Sequence, residues 1–285
     1  MNILITGAAG FIGSHLVREL EKNHNIIRVL SSAPKIPRDK DIIVDLEQTG
    51  SVEKILKSLS SESKIDILLN TASKLSSSEN KNDVKTLIGN ILITENVAKI
   101  AVLLCPDKLI NFSSTSIYPN ISGIYNEKSL PAPQFNTDCI YGLSKFCSEA
   151  MFDFLLRDAS VDIIHLRISQ VHGNGMREDR IIPVMLKELR KHNSITVYGG
   201  GVRMSNFINV KIVVEKINIL MKHKVTGIFN LGEINLSYFK LAESLIKKNG
   251  NNTSKILKIS NGLKAKFLID TTKLNKVLDS CNSKN

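Results

Sequence analysis

Several things are scarce in this chain. Tryptophan is absent and aromatic residues make up only 5% of 285 residues. Such a chain offers little for stacking nucleobases, so its basic surface is read without a nucleic-acid partner. The four cysteines, Cys105, Cys139, Cys147 and Cys281, show no CxxC or other metal-ligand spacing. That argues against a disulfide scaffold or a bound metal, and for free thiols in a reducing compartment. No apolar run approaches the roughly 18 residues of a membrane span, so no membrane is expected. The sequence opens on Ile3-Leu4-Ile5 with no charged leader or cleavage site. A cytoplasmic protein is the expectation. Internal repeats and low-complexity segments are also missing.

What is present is positive charge and a regular alternation. The formal net charge is +11. Its lysines, among them Lys22, Lys54, Lys85, Lys187 and Lys216, are dispersed rather than blocked. This suits an anionic small molecule as substrate or cofactor. Hydrophobic residues at 42% allow a sizeable core. Short apolar runs at 2–6, 26–30, 41–44, 65–69, 108–112 and 161–166 read as buried strands. Between them, apolar residues at helical spacing predict helices over 11–20, 51–59, 83–104 and about 140–154. Alternating β and α elements predict an α/β fold, a Rossmann-like doubly wound parallel sheet. From about residue 172 the pattern loosens. Residues 1–171 are read as a dinucleotide-binding domain carrying the catalytic groups. Residues 172–285 are read mainly as a small C-terminal substrate lobe, with some segments returning to the sheet.

Gly7, Gly10 and Gly13 join the first strand to the first helix. Gly7 permits the tight turn, Gly10 admits a pyrophosphate close to the backbone, and Gly13 allows close helix–strand packing. The helix N-terminus, entered through Phe11 and Ile12, offers N–H groups and partial positive charge to phosphate. An acidic residue after the second strand commonly holds the ribose hydroxyls of NAD. Ser31 and Ser32 stand there instead, followed by Lys35 and Arg38. Serines and cations accept a 2′-phosphate, so NADP is favoured and NAD is the alternative. Asp45 and Leu46, after the third strand, are expected at the adenine.

Tyr141 and Lys145 stand at i,i+4, one above the other on one helix face. A free tyrosine is a weak base at neutral pH. A neighbouring ammonium and a cationic nicotinamide ring are expected to draw its pKa down. Phe112-Ser113-Ser114-Thr115-Ser116 closes the fifth strand and could supply a hydroxyl to the same substrate oxygen.

In order and spacing these motifs resemble the extended short-chain dehydrogenase/reductase family, especially its sugar-nucleotide epimerases, dehydratases and ketoreductases. The resemblance spans Met1 to about Lys247. It is carried by Thr6–Gly13, Asn70-Thr71-Ala72-Ser73, Asn90, Ser113–Tyr118, Tyr141–Lys145, Leu166-Arg167, Ile181-Ile182-Pro183, Tyr198–Gly201, Phe207–Val210 and Gly227–Gly232. It implies that Tyr141 is the acid/base, that Lys145 binds ribose and lowers the tyrosine pKa, and that Ser114 steadies the substrate oxygen, with Thr115 as the alternative. Thr71, Ala72, Ser73 and Asn90 are implied at the cofactor, Asn90 with an equal reading as a structural helix residue. A homodimer built on the long helix and the Tyr141 helix is also implied. The final 35 or so residues add little to the match.

The chain departs from the family pattern in places. Pro119 follows Tyr118 where glycine is usual, and Lys211 follows Val210 where an acid is frequent. Ser205 stands where nucleotide-sugar enzymes often place an arginine on the diphosphate. Arg203, two residues earlier, is expected to take over that contact. Ser114-Thr115-Ser116 lacks the acidic pair of the dehydratases, which ranks dehydration third. An oxidoreductase acting on a (nucleotide-)sugar remains, with a 4-keto-sugar reductase slightly ahead of an NAD-retaining 4-epimerase. A non-catalytic NADP-binding regulatory or RNA-associated protein is the rival from another class. Intact Ser114, Tyr141 and Lys145 speak against it.

Overall fold

Asn2–Thr6 form β1, in which Ile3, Leu4 and Ile5 are wholly buried. A strand covered on both faces needs such a continuous apolar run. The computed structural model describes residues 1–34, 36–59, 64–77 and 80–283. After β1 come α1 (Phe11–Leu20), β2 (Asn25–Leu30), β3 (Asp41–Ile43), α2 (Ser51–Ser58), β4 (Ile67–Asn70), α3 (Val84–Leu104), β5 (Lys108–Ser114), β6 (Gly123–Tyr125), α4 (Cys139–Leu155), β7 (Asp162–Ile168) and β8 (Gln170–His172). The later part holds α5 (Ile181–His192), β9 (Ser194–Val197), β10 (Met204–Asn209), α6 (Val210–Lys222), β11 (Gly227–Leu231), β12 (Ile234–Ser237), α7 (Tyr238–Asn249), β13 (Lys255–Lys258), β14 (Phe267–Ile269) and α8 (Thr272–Asn282).

Seven strands form one sheet in the order β11-β7-β5-β4-β1-β2-β3, and every neighbouring pair is parallel. One face carries α1, α6 and α8, which bury Leu16, Val17, Val213, Ile217, Leu274 and Leu278 against Ile5, Ile110 and Leu166. The other carries α2, α3 and α4, with Ile55, Val97 and Phe152 against Leu4, Leu68 and Leu109. Each fully buried aliphatic side chain contributes about 1.5–3 kcal/mol, so the two layers hold the sheet rigid. This is the expected doubly wound α/β fold.

Chain order reverses between β1 and β4. The loops that follow these two strands therefore diverge and leave a crevice at the carboxyl end of the sheet, the place where such folds bind ligands. Over it sits a second layer of short strands. There β10 pairs with β8 and β12, and β9 with β13. Met185, Leu189, Ile195, Phe207 and Leu241 form the core of this part.

Two corrections to the sequence reading concern the C-terminal third. Val210, Val213, Val214, Ile217, Leu220 and Met221 line the buried face of α6, a helix the sequence reading passed over. The last residues also do more than the family match suggests. β14 pairs with β6, and α8 closes the first core layer. In addition, α3 has the length and composition of a membrane-crossing helix. Its Ile93, Val97, Ala98, Ile100 and Ala101 are nevertheless buried in the protein core.

Candidate active site

The turn after β1 is built for close approach. Gly7 has φ +67°, and a Cβ there would lie 2.7 Å from the Ala72 nitrogen. A Cβ on Gly13 would lie 2.3 Å from the Gly7 carbonyl oxygen. Gly10 precedes α1 with no side-chain cap. The first-turn N–H groups, those of Phe11, Ile12 and Gly13 included, thus face the crevice without a side-chain partner from the cap position, which fits a pyrophosphate. Thr71 stitches the facing loop to this turn through Oγ1, which donates to the Thr6 carbonyl at 2.6 Å, and Ala72 lies against Gly7. The glycine motif and the start of the Thr71–Ser73 segment thus lie side by side.

The described residues expected at the 2′-phosphate and adenine lie in the segments that follow β2 and β3. Ser31 and Ser32 are exposed just beyond the end of β2. Lys35 lies outside the described residues. Arg38 is not a free cation: its guanidinium donates to Glu21, which follows α1, and its backbone N–H to Asp41. Asp45 is half-buried and accepts from the Glu47 N–H at 3.0 Å. Leu46 is buried in the core, and its carbonyl accepts from Asn96. Asn90 is buried with every polar atom engaged. Its Oδ1 accepts from Lys74 N–H at 2.7 Å and from Ser73. Its Nδ2 donates to the Lys74 carbonyl and to Ser144 of α4 at 2.9 Å. It staples the loop after β4 to the catalytic helix, which is the structural reading of the two.

On α4, Tyr141, Lys145, Glu149 and Asp153 recur every four residues, and the last three bond to groups of the sheet. Lys145 Nζ donates to the Phe112 carbonyl at 2.8 Å and lies 5.7 Å from the Tyr141 ring centre. Burial pushes the Lys145 ammonium down to about 8, with Glu149 acting in the opposite direction. Burial pushes the Tyr141 phenol up to about 12, against a downward pull from Ser73 and Arg180. The expected lowering rests on the ammonium and a cationic nicotinamide ring together, and the protein alone supplies only the ammonium. In the protein itself desolvation wins, because the ammonium is turned to a backbone carbonyl.

Glu149 is locked in an ion pair with Arg167 of β7 at 2.7 Å, both side chains 3% exposed. Ser113 also donates to Glu149, and Arg167 to the Tyr118 hydroxyl. Ser113 is thereby withdrawn from the site. Ser114 and Thr115, by contrast, line a cleft of about 380 Å³ together with Tyr141. Ser114 Oγ accepts from the Ser116 N–H at 3.0 Å, which leaves its own hydrogen to donate.

The lobe supplies the other wall. Arg203 and Ser205 both line the cleft, as do Asn206 and Phe207 beside them. The Arg203 guanidinium lies 5.0 Å from the Tyr238 ring centre. Arg180, Gln170 and Phe267 line the same cleft and were not singled out from the sequence. Phe267 could not have been, since only the pairing of β14 with β6 brings it there. A row of buried polar residues, Thr6, Asn70, Asn111 and His165, was missed as well. No group of His, Cys, Asp or Glu suited to a metal occurs among the described residues.

A doubly wound sheet, a glycine turn at its switch point and a Tyr–Lys pair over the same crevice define an extended short-chain dehydrogenase/reductase. Comparison of the sequence with family profiles agrees: the chain belongs to the NAD dependent epimerase/dehydratase family, whose profile matches residues 3–232. It is an enzyme of that group. It is 24% identical over 275 residues to a dTDP-D-glucose 4,6-dehydratase of Dictyostelium discoideum, covering 86% of this chain and 61% of the relative. It thus spans less than two thirds of that relative's length. It is 26% identical over 253 residues to an uncharacterised UDP-glucose epimerase of Bacillus subtilis, covering 81% of this chain and 77% of the relative. The fold is similar to that of MoeE5 solved with UDP-glucose and NAD, with a TM-score of 0.80, 24% identity and coverage of 98% and 92%.

Proposed function

We propose that this enzyme inverts a carbinol centre of a nucleotide-activated sugar, as a 4-epimerase that keeps its NAD. The observation that carries the reading is the grouping of Ser114, Tyr141 and Arg203 on one cleft, with Ser114-Thr115-Ser116 offering no carboxylate for dehydration. A nicotinamide dinucleotide on the glycine turn supplies the hydride acceptor and, when oxidised, a positive ring that draws the phenol downward. Tyr141 would take the proton of the sugar hydroxyl as hydride passes from its carbon to the dinucleotide, and would return that proton to the ketone oxygen when the hydride comes back to the opposite face of the carbon. Lys145, anchored on Phe112, keeps positive charge beside the phenolate. Ser114 donates to the same oxygen. Arg203 neutralises the diphosphate in place of the arginine that Ser205 replaces.

The second reading, an NADP-dependent 4-keto-sugar reductase, is favoured by Ser31 and Ser32, which place no carboxylate after β2 against a 2′-phosphate. Two of its supports are weaker than the sequence suggested. Arg38 is engaged by Glu21, and the C-terminal part is fuller than a short lobe. In either reading residues 172–285 mainly bind the sugar nucleotide. The protein is taken as a cytoplasmic homodimer, with neither nucleic acid nor membrane as partner. Exposed Val84, Ile88 and Leu103 of α3 and Phe146 and Phe154 of α4 support that dimer.

The test is mass analysis of the dinucleotide released from purified protein, followed by incubation with UDP-glucose. Retained NAD and an epimerised product without net cofactor turnover are expected. Stoichiometric oxidation of added NADPH by a 4-keto sugar nucleotide would move the assignment to the reductase. Failure to bind any dinucleotide would remove both.

A further inference from the structure

Behind the glycine turn, four polar side chains cross the sheet in one row. Strand register places Thr6 beside Asn70, Asn70 beside Asn111, and Asn111 beside His165. All four are buried, at 0%, 2%, 0% and 1% exposure, between rows of aliphatic residues. Polar groups in such a place persist only when hydrogen-bonded. Here they bond to one another. Thr6 Oγ1 donates to Asn70 Oδ1 at 2.7 Å, and Asn70 Nδ2 to Asn111 Oδ1 at 3.0 Å. Asn111 Nδ2 donates to His165 Nδ1 at 3.1 Å, and His165 Nε2 meets Asp153 Oδ1 at 3.0 Å. The Asp153 side chain is 57% exposed, so the row ends in solvent.

The row has a direction. A carboxylate only accepts, so His165 must donate from Nε2. In the neutral ring Nδ1 is then an acceptor, and it fixes Asn111 with its amide nitrogen toward the histidine. Asn111 so fixed presents its oxygen to Asn70, and Asn70 presents its oxygen to Thr6. The Thr6 hydroxyl is left donating into the sheet with lone pairs free toward Ala72 N–H, 3.4 Å away. The Thr6 carbonyl receives Thr71 Oγ1 at 2.6 Å. One choice, the histidine tautomer, thus propagates through both asparagines to the two loops that flank the crevice.

We propose that His165 and Asp153 are positioning residues for the dinucleotide site, Asp153 setting the tautomer of His165 and the tautomer setting the orientation of Thr6 beneath Gly7. The inference rests on the dinucleotide reading of that turn. Neither residue lines the cleft. Of the other charged groups on this side of the sheet, Glu149 and Arg167 are engaged with each other and Lys145 donates to the Phe112 carbonyl.

Two measurements test it. Nitrogen-15 imidazole spectra of the full-length protein at pH 7.5 should show His165 as the neutral Nε2–H tautomer. A protonated Nδ1, in the neutral or the charged ring, would overturn the proposal. Fluorescence titration with NADH and NADPH then compares wild type, Asp153→Ala and Asp153→Asn. The alanine variant, altered only at a solvent-facing side chain, should bind whichever cofactor the wild type prefers about two- to tenfold more weakly. The asparagine variant, whose carbonyl can accept from Nε2–H, should restore the affinity. Equal affinities in all three proteins would overturn the coupling while leaving the dinucleotide site in place. A wild type that binds neither cofactor would instead overturn the dinucleotide reading itself.

Discussion

The Phe112 carbonyl receives the Lys145 ammonium at 2.8 Å, in a place where the lysine is only 5% exposed. One backbone acceptor does not repay the hydration lost, and the pKa falls to about 8 from an ordinary value of 10.5. Between about pH 8 and 10 the unfolded chain therefore holds a proton at this lysine that the folded protein has released. Stability contributed by this residue rises with pH through that window, and is lost as pH falls through about 8. Lys145→Met removes the dependence. The variant should exceed the wild type in thermal stability at pH 7, with the gap closing toward pH 10. Melting curves of both proteins across this range decide it, and a constant gap would contradict the account.

Tyr141→Phe should lower kcat by about 10²–10⁴-fold, the usual worth of a positioned acid/base, while cofactor affinity stays close to wild type. The phenol stands at about 12 in the protein alone. Alcohol oxidation by the wild type should accordingly quicken with rising pH as the phenolate fraction grows, and the residual rate of the variant should not. Steady-state rates with a sugar nucleotide from pH 6.5 to 9 would show it, and parallel profiles would take Tyr141 out of the proton path.

The Arg167–Glu149 pair joins the catalytic helix to the sheet inside the core. Arg167→Met strands a buried carboxylate and should cost about 3–5 kcal/mol in urea unfolding. The double variant Glu149→Met/Arg167→Met should recover much of that loss, since the penalty belongs to the unpaired charge. A double variant no more stable than the single would show that the pair acts mainly through Tyr118 and Ser113.

How far the sequence reveals this arrangement depends on the range of the interactions involved. The central strands are legible because a strand buried on both faces must be an apolar run, and Ile3–Ile5 or Leu109–Ile110 can be little else. Tyr141 and Lys145 are legible because their juxtaposition is local to one helix. The helix α6 is equally readable, with Val213, Val214 and Ile217 at the right spacing. Arg38 misleads because its partner Glu21 comes from another element. The polar row is invisible for a similar reason: Thr6, Asn70, Asn111 and His165 are unremarkable singly, and acquire meaning only once register aligns them. Strand β10 is disguised by Ser205 and Asn206, polar residues that the lobe buries at 4% and 2% exposure.

Gly7→Ala and Gly50→Ala form a controlled pair. Both positions have positive φ, +67° and +82°, but only Gly7 has backbone in the way. At Gly50 a Cβ meets nothing within 4 Å, so alanine should cost about 1–2 kcal/mol from backbone strain alone. At Gly7 alanine must also push away the Ala72 backbone, and dinucleotide binding should be lost. Binding by both variants at wild-type strength would mean that the turn can relax and that the crevice does not depend on this approach.

The pairing of β14 with β6 has a consequence for the cleft. Phe267 shares the cleft with Phe11, so α1 and β14 both furnish its lining. The Tyr118 and Tyr125 rings stack at 5.3 Å, and the Phe267 ring lies 5.1 Å from that of Tyr125. β14 is not among the seven strands of the main sheet. A substitution there can therefore reshape the cleft wall while leaving that sheet and its glycine turn intact.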